Sequence, residues 1–293
     1  MATAERVGVI GSVTSTVAVD WSGDANDRGA KLWLAHCVEG ELVELSGGWS
    51  RKAAIEHVIA LASRYPKTVV GLDFSFGFPA WFVERRGWDS PLSMWLDVGA
   101  NGEEWLSDCR VPFWGRPGCR RGSEEQFRRT ERDVARRWSV RPSSTFQIGG
   151  AGSVGTGSLR GMAHLATLVE AGGMIWPFTG QVPSEHGPVI VELYPRLLTG
   201  PVAKSNAHAR RQLVDVLRAR LSPSRGSDDL LTLAAANEDA FDAAVSALGM
   251  YRQRDGLAAL AGQVEGPATS GLEGEIWQPT HSLPDLLDLT SGR

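Results

Sequence analysis

The sequence predicts a mixed α/β fold: a five-stranded sheet flanked by helices and interrupted by a large basic insertion. Three observations predict it. Short runs rich in β-branched and apolar residues near the N-terminus are joined by tight turns. A segment with helical spacing then leads into another apolar run. Three of the apolar runs end in, or close to, an acid: Asp20, Asp73 and Glu192. Sheet runs alternating with helical patterns are the signature of an α/β layer architecture.

The first run, Thr16-Val17-Ala18-Val19, leads into Asp20-Trp21-Ser22-Gly23 and reads as a buried strand stopped by turn residues. Residues 23–29 form a turn. Residues 31–38 and 42–45 are the next strands, joined through Glu39-Gly40-Glu41, which makes an antiparallel meander. Ser50 caps a helix in which Ile55, Val58, Ile59 and Ala62 share a face. Val69-Val70-Gly71-Leu72-Asp73 follows as a strand.

Residues 76–144 are rich in Trp, Arg, Gly and Pro and lack a core pattern of their own, so they read as an elaboration on the sheet. Within them 124–138 is expected to be helical. From 110 to 141 there are ten Arg against four acids. After Phe146-Gln147-Ile148 comes a glycine-rich stretch, 149–158, then a helix carrying Leu165, Leu168 and Val169 and ending at Gly172-Gly173. Residues 174–178 read as a short strand, and Val189 to Tyr194 as the last clear one, stopped by Pro195. Two helices close the core. One spans about 207–221, with Leu213, Val214, Leu217 and Leu221 inward. The other spans about 238–260 and is capped by Asn237. The tail from 263 is loop-like. No repeat or low-complexity segment is present, and the reading is one domain over 1–293, with its core at about 15–75 and 145–262.

The 293 residues have the composition of an ordinary globular protein with a net charge of −4. That charge argues against indiscriminate nucleic-acid binding over the whole surface, but not against a local basic groove. Cys37, Cys109 and Cys119 are odd in number and lack paired metal-ligand spacing, so they are expected to be reduced thiols in a cytoplasmic protein. No basic segment followed by an apolar core marks a signal peptide. No run approaches the roughly 20 apolar residues of a membrane span.

The acids carry the functional reading. Strand alternation puts Asp20 on a face with Ala18, Asp73 with Gly71, and Glu192 with Ile190 and Tyr194. Asp239 and Asp242, three apart, neighbour each other on the last core helix. Clustered carboxylates repel unless a cation neutralises them, and hard divalent ions take oxygen ligands. Two such ions roughly 4 Å apart activate water and stabilise the leaving oxygen of a phosphodiester. Other readings stay open. Asp20 suits a turn with Ser22 and Gly23. Glu192 could pair with an Arg. Glu238 and Asp239 suit a first helical turn through the dipole alone.

Meander, helix, strand, later strand and final acidic helix resemble the ribonuclease H-like fold. More closely, the chain resembles the domain-of-unknown-function family 429, predicted nucleases of that fold. The stretches that carry the likeness are Val19-Asp20-Trp21-Ser22-Gly23, Gly71-Leu72-Asp73-Phe74-Ser75-Phe76, the glycine-rich stretch to Met162, and Ile175-Trp176-Pro177-Phe178. Val191-Glu192-Leu193-Tyr194-Pro195 and Asp239-Ala240-Phe241-Asp242-Ala243-Ala244 complete them. The resemblance implies Mg²⁺ or Mn²⁺ on Asp20, Asp73 and Asp242, with Asp239 or Glu192 assisting. The final Asp pair resembles that of Holliday-junction resolvases, which use Glu where this chain has Asp73. Nucleic acid is the expected substrate. Ser22, Gly23 and Gly152 are expected to touch it, and Arg116, Arg120, Arg121 and Arg128 to hold its phosphate backbone. Trp105, Phe113, Trp114 and Trp138 are interleaved as rings on which bases could stack.

Gly150-Ala-Gly152-Ser-Val-Gly155 also matches the dinucleotide pattern G-x-G-x-x-G, but mid-chain and without the compact strand–turn–helix–strand context. It serves equally as an anion site at a helix start or as a flexible loop. No P-loop Lys follows it, the histidines have no ligand spacing, and no G-x-S-x-G elbow occurs. Two alternatives to a nuclease therefore stand. One is an ATP-dependent phosphotransferase on the related actin-like core, with the glycine-rich stretch as a phosphate clamp. The other is a nucleic-acid-binding protein without turnover.

Overall fold

The computed structural model describes residues 12–26, 31–178, 187–260 and 271–289. The distal part of the expected 23–29 turn lies outside them. β1 (Ser15–Asp20), β2 (Trp33–Val38) and β3 (Glu41–Gly47) form the meander. α1 (Arg51–Arg64) follows, and its Ser50 hydroxyl accepts from Ala53 N–H at 3.1 Å. β4 (Thr68–Leu72) then lies parallel to β1, which a crossover through α1 allows.

α2 (Ala80–Arg86), α3 (Pro91–Asp108) and α4 (Arg129–Trp138) belong to the insertion. α5 (Gly155–Glu170), β5 (Met174–Ile175) and β6 (Val189–Glu192) return to the sheet. A run of helices completes the chain: α6 (Arg196–Thr199), α7 (Ala207–Leu221), α8 (Arg225–Ala236), α9 (Glu238–Arg252), α10 (Arg254–Leu260) and α11 (Leu283–Leu289).

The sheet has six strands in the order β3-β2-β1-β4-β6-β5. That is one strand more than the five expected; the short strand read over 174–178 is the two-residue β5, which pairs with β6 at its edge. β2 is antiparallel to both β1 and β3, whereas β1, β4, β6 and β5 run parallel. Their C-terminal ends therefore meet at one edge.

Each face of the sheet has its own core. Ala18, Ala35, Val69, Val189 and Val191 pack with α7, α8 and α9. Val17, Val19, Val70, Leu72 and Ile190 pack with α1, α3 and α5. α9 lies close to the sheet because it offers small residues: Ala240, Ala243, Ala244 and Ala247 are all buried. Gly71 serves the same approach, since a Cβ there would come within 2.9 Å of Met250 Sδ.

The insertion adds an aromatic cluster to the second core. Phe82 lies edge-on to Phe113 and Phe146, and Trp105 stacks on Phe113 with centroids 5.7 Å apart. Phe113 is buried and the Trp rings are part-buried against the same cores. These rings are packing groups, not an open stacking platform. Cys109 and Cys119 pair as a disulfide and Cys37 is free and buried, which corrects the reading of three reduced thiols.

Two further expectations change near the C-terminus. The single helix over 238–260 breaks at Gln253, whose side-chain oxygen accepts from Thr280 N–H at 2.6 Å. The tail is not all loop: Trp277 N–H donates to Glu192 O at 2.9 Å, and α11 packs on α6 and α9.

Candidate active site

Asp20 is the last residue of β1, and Asp73 follows β4 directly, its N–H donating to Val19 O at 3.1 Å. The register pairs Ala18 with Gly71, and both lie on the α9 face. Alternation places Asp20 on that face too. Asp239 and Asp242 reach the same place from the first turns of α9, which Asn237 caps by accepting from Asp239 N–H and Ala240 N–H, each at 2.9 Å.

Lys204, on the turn before α7, stands among them. Its Nζ is 2.6 Å from Asp242 Oδ2 and 3.6 Å from Asp239 Oδ1. Asp20 and Asp73 make no ion pair among the described residues.

The electrostatics report the crowding. Burial, then Asp73 beside it, pushes the Asp20 carboxyl well above its ordinary range. Burial and Asp242 push Asp73 up to about 7. Asp242 is raised by burial against the pull of Lys204. The burial of Lys204 opposes its charge, yet Asp242 and Asp20 hold its ammonium above the usual value.

Asp20, Asp73, Asp239 and Lys204 line a cleft of about 660 Å³. Ser22, Gly23 and Gly152 line it, along with the first turn of α5. Ser22 and Gly23 are braced: Arg51 Nη1 donates to Ser22 O at 3.1 Å, and Arg160 Nη1 to Gly23 O at 2.6 Å. Gly23 also packs on α5 so closely that a Cβ would lie 2.7 Å from Gly157 N.

Glu192 is placed differently. The register pairs Leu72 with Glu192, on the face opposite Asp20. There Arg128 Nη1 donates to Glu192 Oε2 at 2.8 Å, and Arg128 Nη2 to Glu192 Oε1. Arg128 also donates to Glu131 Oε1, through Nε at 2.8 Å and Nη2 at 2.6 Å. Glu192 Oε2 accepts from Phe76 N–H at 2.9 Å, so it holds the loop that leaves Asp73. Arg128 is 1% exposed and reaches no substrate backbone.

Arg116 donates to Leu106 O. Arg121 lies over the Trp114 and Phe127 rings, and Arg120 is exposed. None of the three lines the cleft. The Arg residues beside the acids are instead Arg141 and Arg196, which line an adjoining pocket of about 490 Å³ with Asp73, Lys204 and Asp242.

The glycine-rich stretch does not open a dinucleotide unit. Residues 146–148 form no strand beyond an isolated bridge from Gln147 to Trp114.

Among the described residues no three His, Cys, Asp or Glu side chains stand grouped to hold a metal ion. The donor set nonetheless suits a hard divalent cation in kind: four carboxylates face one ammonium, and among the described residues the two on the strand ends are in ion-pair contact with no cation. Compared with known protein families, curated proteins and solved structures, the chain matches none of them.

Proposed function

We propose that this chain is a divalent-metal-dependent nuclease, a hydrolase of nucleic-acid phosphodiester bonds on a ribonuclease H-like sheet, akin to domain-of-unknown-function family 429. The observation that carries the reading is the convergence of Asp20, Asp73, Asp239 and Asp242 at one sheet edge, where an open cleft lined by the first three meets a pocket lined by Asp73 and Asp242. The order of meander, crossover helix, parallel strands and acidic helix supports it.

Asp20 and Asp73 would hold Mg²⁺ or Mn²⁺, with Asp242 and Asp239 closing the far side. The bound ion would lower the pKa of a water and offset charge on the leaving oxygen. The protein's share is positioning. Arg51 and Arg160 fix the loop after Asp20, Glu192 fixes the loop after Asp73, and Arg141 and Arg196 put positive charge beside the acids.

The test is incubation of single-stranded, duplex and branched DNA and RNA with Mn²⁺. Cleavage is expected and should fall to background in the Asp20→Asn, Asp242→Asn double variant. Cleavage that survives in that variant overturns the reading. Binding that weakens with salt but leaves every substrate intact would identify a binding protein without turnover.

One observation favours a second reading, ATP-dependent phosphoryl transfer. The first turn of α5, with Thr156 and Gly157, faces the cleft without a side-chain cap, as a phosphate clamp requires. Calorimetry that detects no ATP binding removes it.

A further inference from the structure

We propose that Lys204 is the resident second cation of the site: it neutralises Asp242 and Asp239 and leaves Asp20 and Asp73 to take a single divalent ion. The inference rests on the metal-dependent reading above.

The charges are distributed unevenly. Both acids of α9 lie within ion-pair reach of the ammonium, at 2.6 and 3.6 Å, whereas neither strand-end acid is in ion-pair contact with a cation among the described residues, and the Lys204 charge acts on them only from beyond that distance. A lysine head has three donors and no acceptor, so it can bridge two carboxylates and still present a donor to the cleft. Two ions would need Asp239 and Asp242 as ligands, and the ammonium already holds them. One ion needs less. Mg²⁺ keeps several waters and binds through one or two carboxylates plus substrate phosphate oxygens. Asp20 and Asp73 are such a pair.

Lys204 is also delivered, not merely tethered. Its carbonyl accepts from Arg210 Nη1, Asn206 N–H donates to Ala203 O at 2.9 Å, and Asn206 caps α7. The turn is thus fixed on both sides of the lysine. The side chain remains 42% exposed and lines the cleft, where a scissile phosphate would meet it.

The experiment is a calorimetric titration of the full chain with Mn²⁺ alone, with the electron paramagnetic resonance spectrum recorded at saturation. Wild type is expected to bind one ion per chain and to show an isolated-ion spectrum. Lys204→Met should bind two and show a spin-coupled pair. Lys204→Arg should stay at one. Asp20→Asn should lose affinity by tenfold or more, the low end of what loss of a supporting contact costs a metal site being about tenfold. The same stoichiometry in wild type and Lys204→Met, whether none, one or two, overturns the proposal. So does a coupled pair in the wild-type spectrum, which decides the matter even if the Met variant does not fold. The readouts need no substrate. A chain that binds one ion and cleaves nothing sinks the nuclease reading and leaves Lys204 its role. A chain that cleaves with two bound ions does the reverse.

Discussion

Two charged clusters flank the same sheet edge and behave oppositely. On one face Arg128, Glu131 and Glu192 are sealed in, each no more than 2% exposed, with the two Glu at the inner wall of the cleft. The guanidinium spends its donors on both carboxylates and on Glu273 O. On the other face Asp20, Asp73, Asp239 and Asp242 stand around Lys204, the first three in an open cleft and Asp242 in the pocket that adjoins it. There the acids outnumber the cation, and the strand-end pair is in ion-pair contact with none among the described residues. A buried charge that is fully paired is architecture, whereas a partly solvated excess of one sign is a binding capacity awaiting its counter-charge. The first cluster supports the second, because Glu192 fixes the loop that follows Asp73.

Breaking the sealed cluster should have the largest effect on stability. Arg128→Met leaves Glu131 and Glu192 buried without their cation. Removing one partner of a buried pair costs about 3–5 kcal/mol. Urea unfolding should show that loss, and replacing Glu131 and Glu192 by Gln as well should recover a good part of it. A loss under about 1 kcal/mol, the usual worth of an exposed pair, would show that the triad is not the strut described here.

The open cluster should respond with the opposite sign. The folded state lifts Asp73 from its ordinary value of 3.8 to about 7. Between those pH values the folded chain holds more protons than the unfolded one. Stability of the metal-free protein therefore falls as pH rises through this window. Asp73→Asn removes that contribution. The variant should match wild type near pH 4 and exceed it above pH 7 by up to about 4 kcal/mol. Urea unfolding in a chelating buffer at several pH values checks it. Saturating Mn²⁺ should reverse the order, because an ion that binds only the folded state stabilises wild type. A variant less stable than wild type at pH 8 without metal would mean that Asp73 already has its counter-charge.

Much of the open cluster was legible in the sequence, and the sealed one hardly at all. Asp20 and Asp73 end apolar runs, and the spacing of Asp239 and Asp242 on a capped helix is plain. Glu192 has the same strand grammar, yet it faces the other way. Alternation tells which neighbours share a face, not which face it is. Only the register Gly71–Val191 and Leu72–Glu192 decides that. Arg128 sits in an Arg-rich segment whose composition cannot say which guanidinium turns inward. Lys204 lies on an irregular turn without periodicity. α3 went unread within the insertion; its Gly99 and Gly102 sit against Ala163 and Leu159 of α5. The glycines there mark helix contact, which a single chain's pattern does not display.

The smallest effect is expected inside the sealed cluster and tests whether its two acids are equivalent. Glu131 Oε1 takes both hydrogen bonds from Arg128, while Glu131 Oε2 has no partner among the described residues. Burial raises the Glu131 carboxyl above its ordinary range. A neutral Glu131 would therefore satisfy Arg128 as well as an ionised one. Glu131→Gln keeps the accepting oxygen and should change stability by less than about 1 kcal/mol, the net worth of one hydrogen bond. It should also flatten the part of the stability–pH curve that Glu131 contributes, which falls with rising pH by the same sign argument as for Asp73. Glu192→Gln should cost more. Both of its oxygens already accept, from Arg128 and Phe76 N–H, and an amide would set a donor against donors. Equal costs for the two variants in urea would mean that Arg128 needs both negative charges, and that the sealed cluster carries its acids ionised.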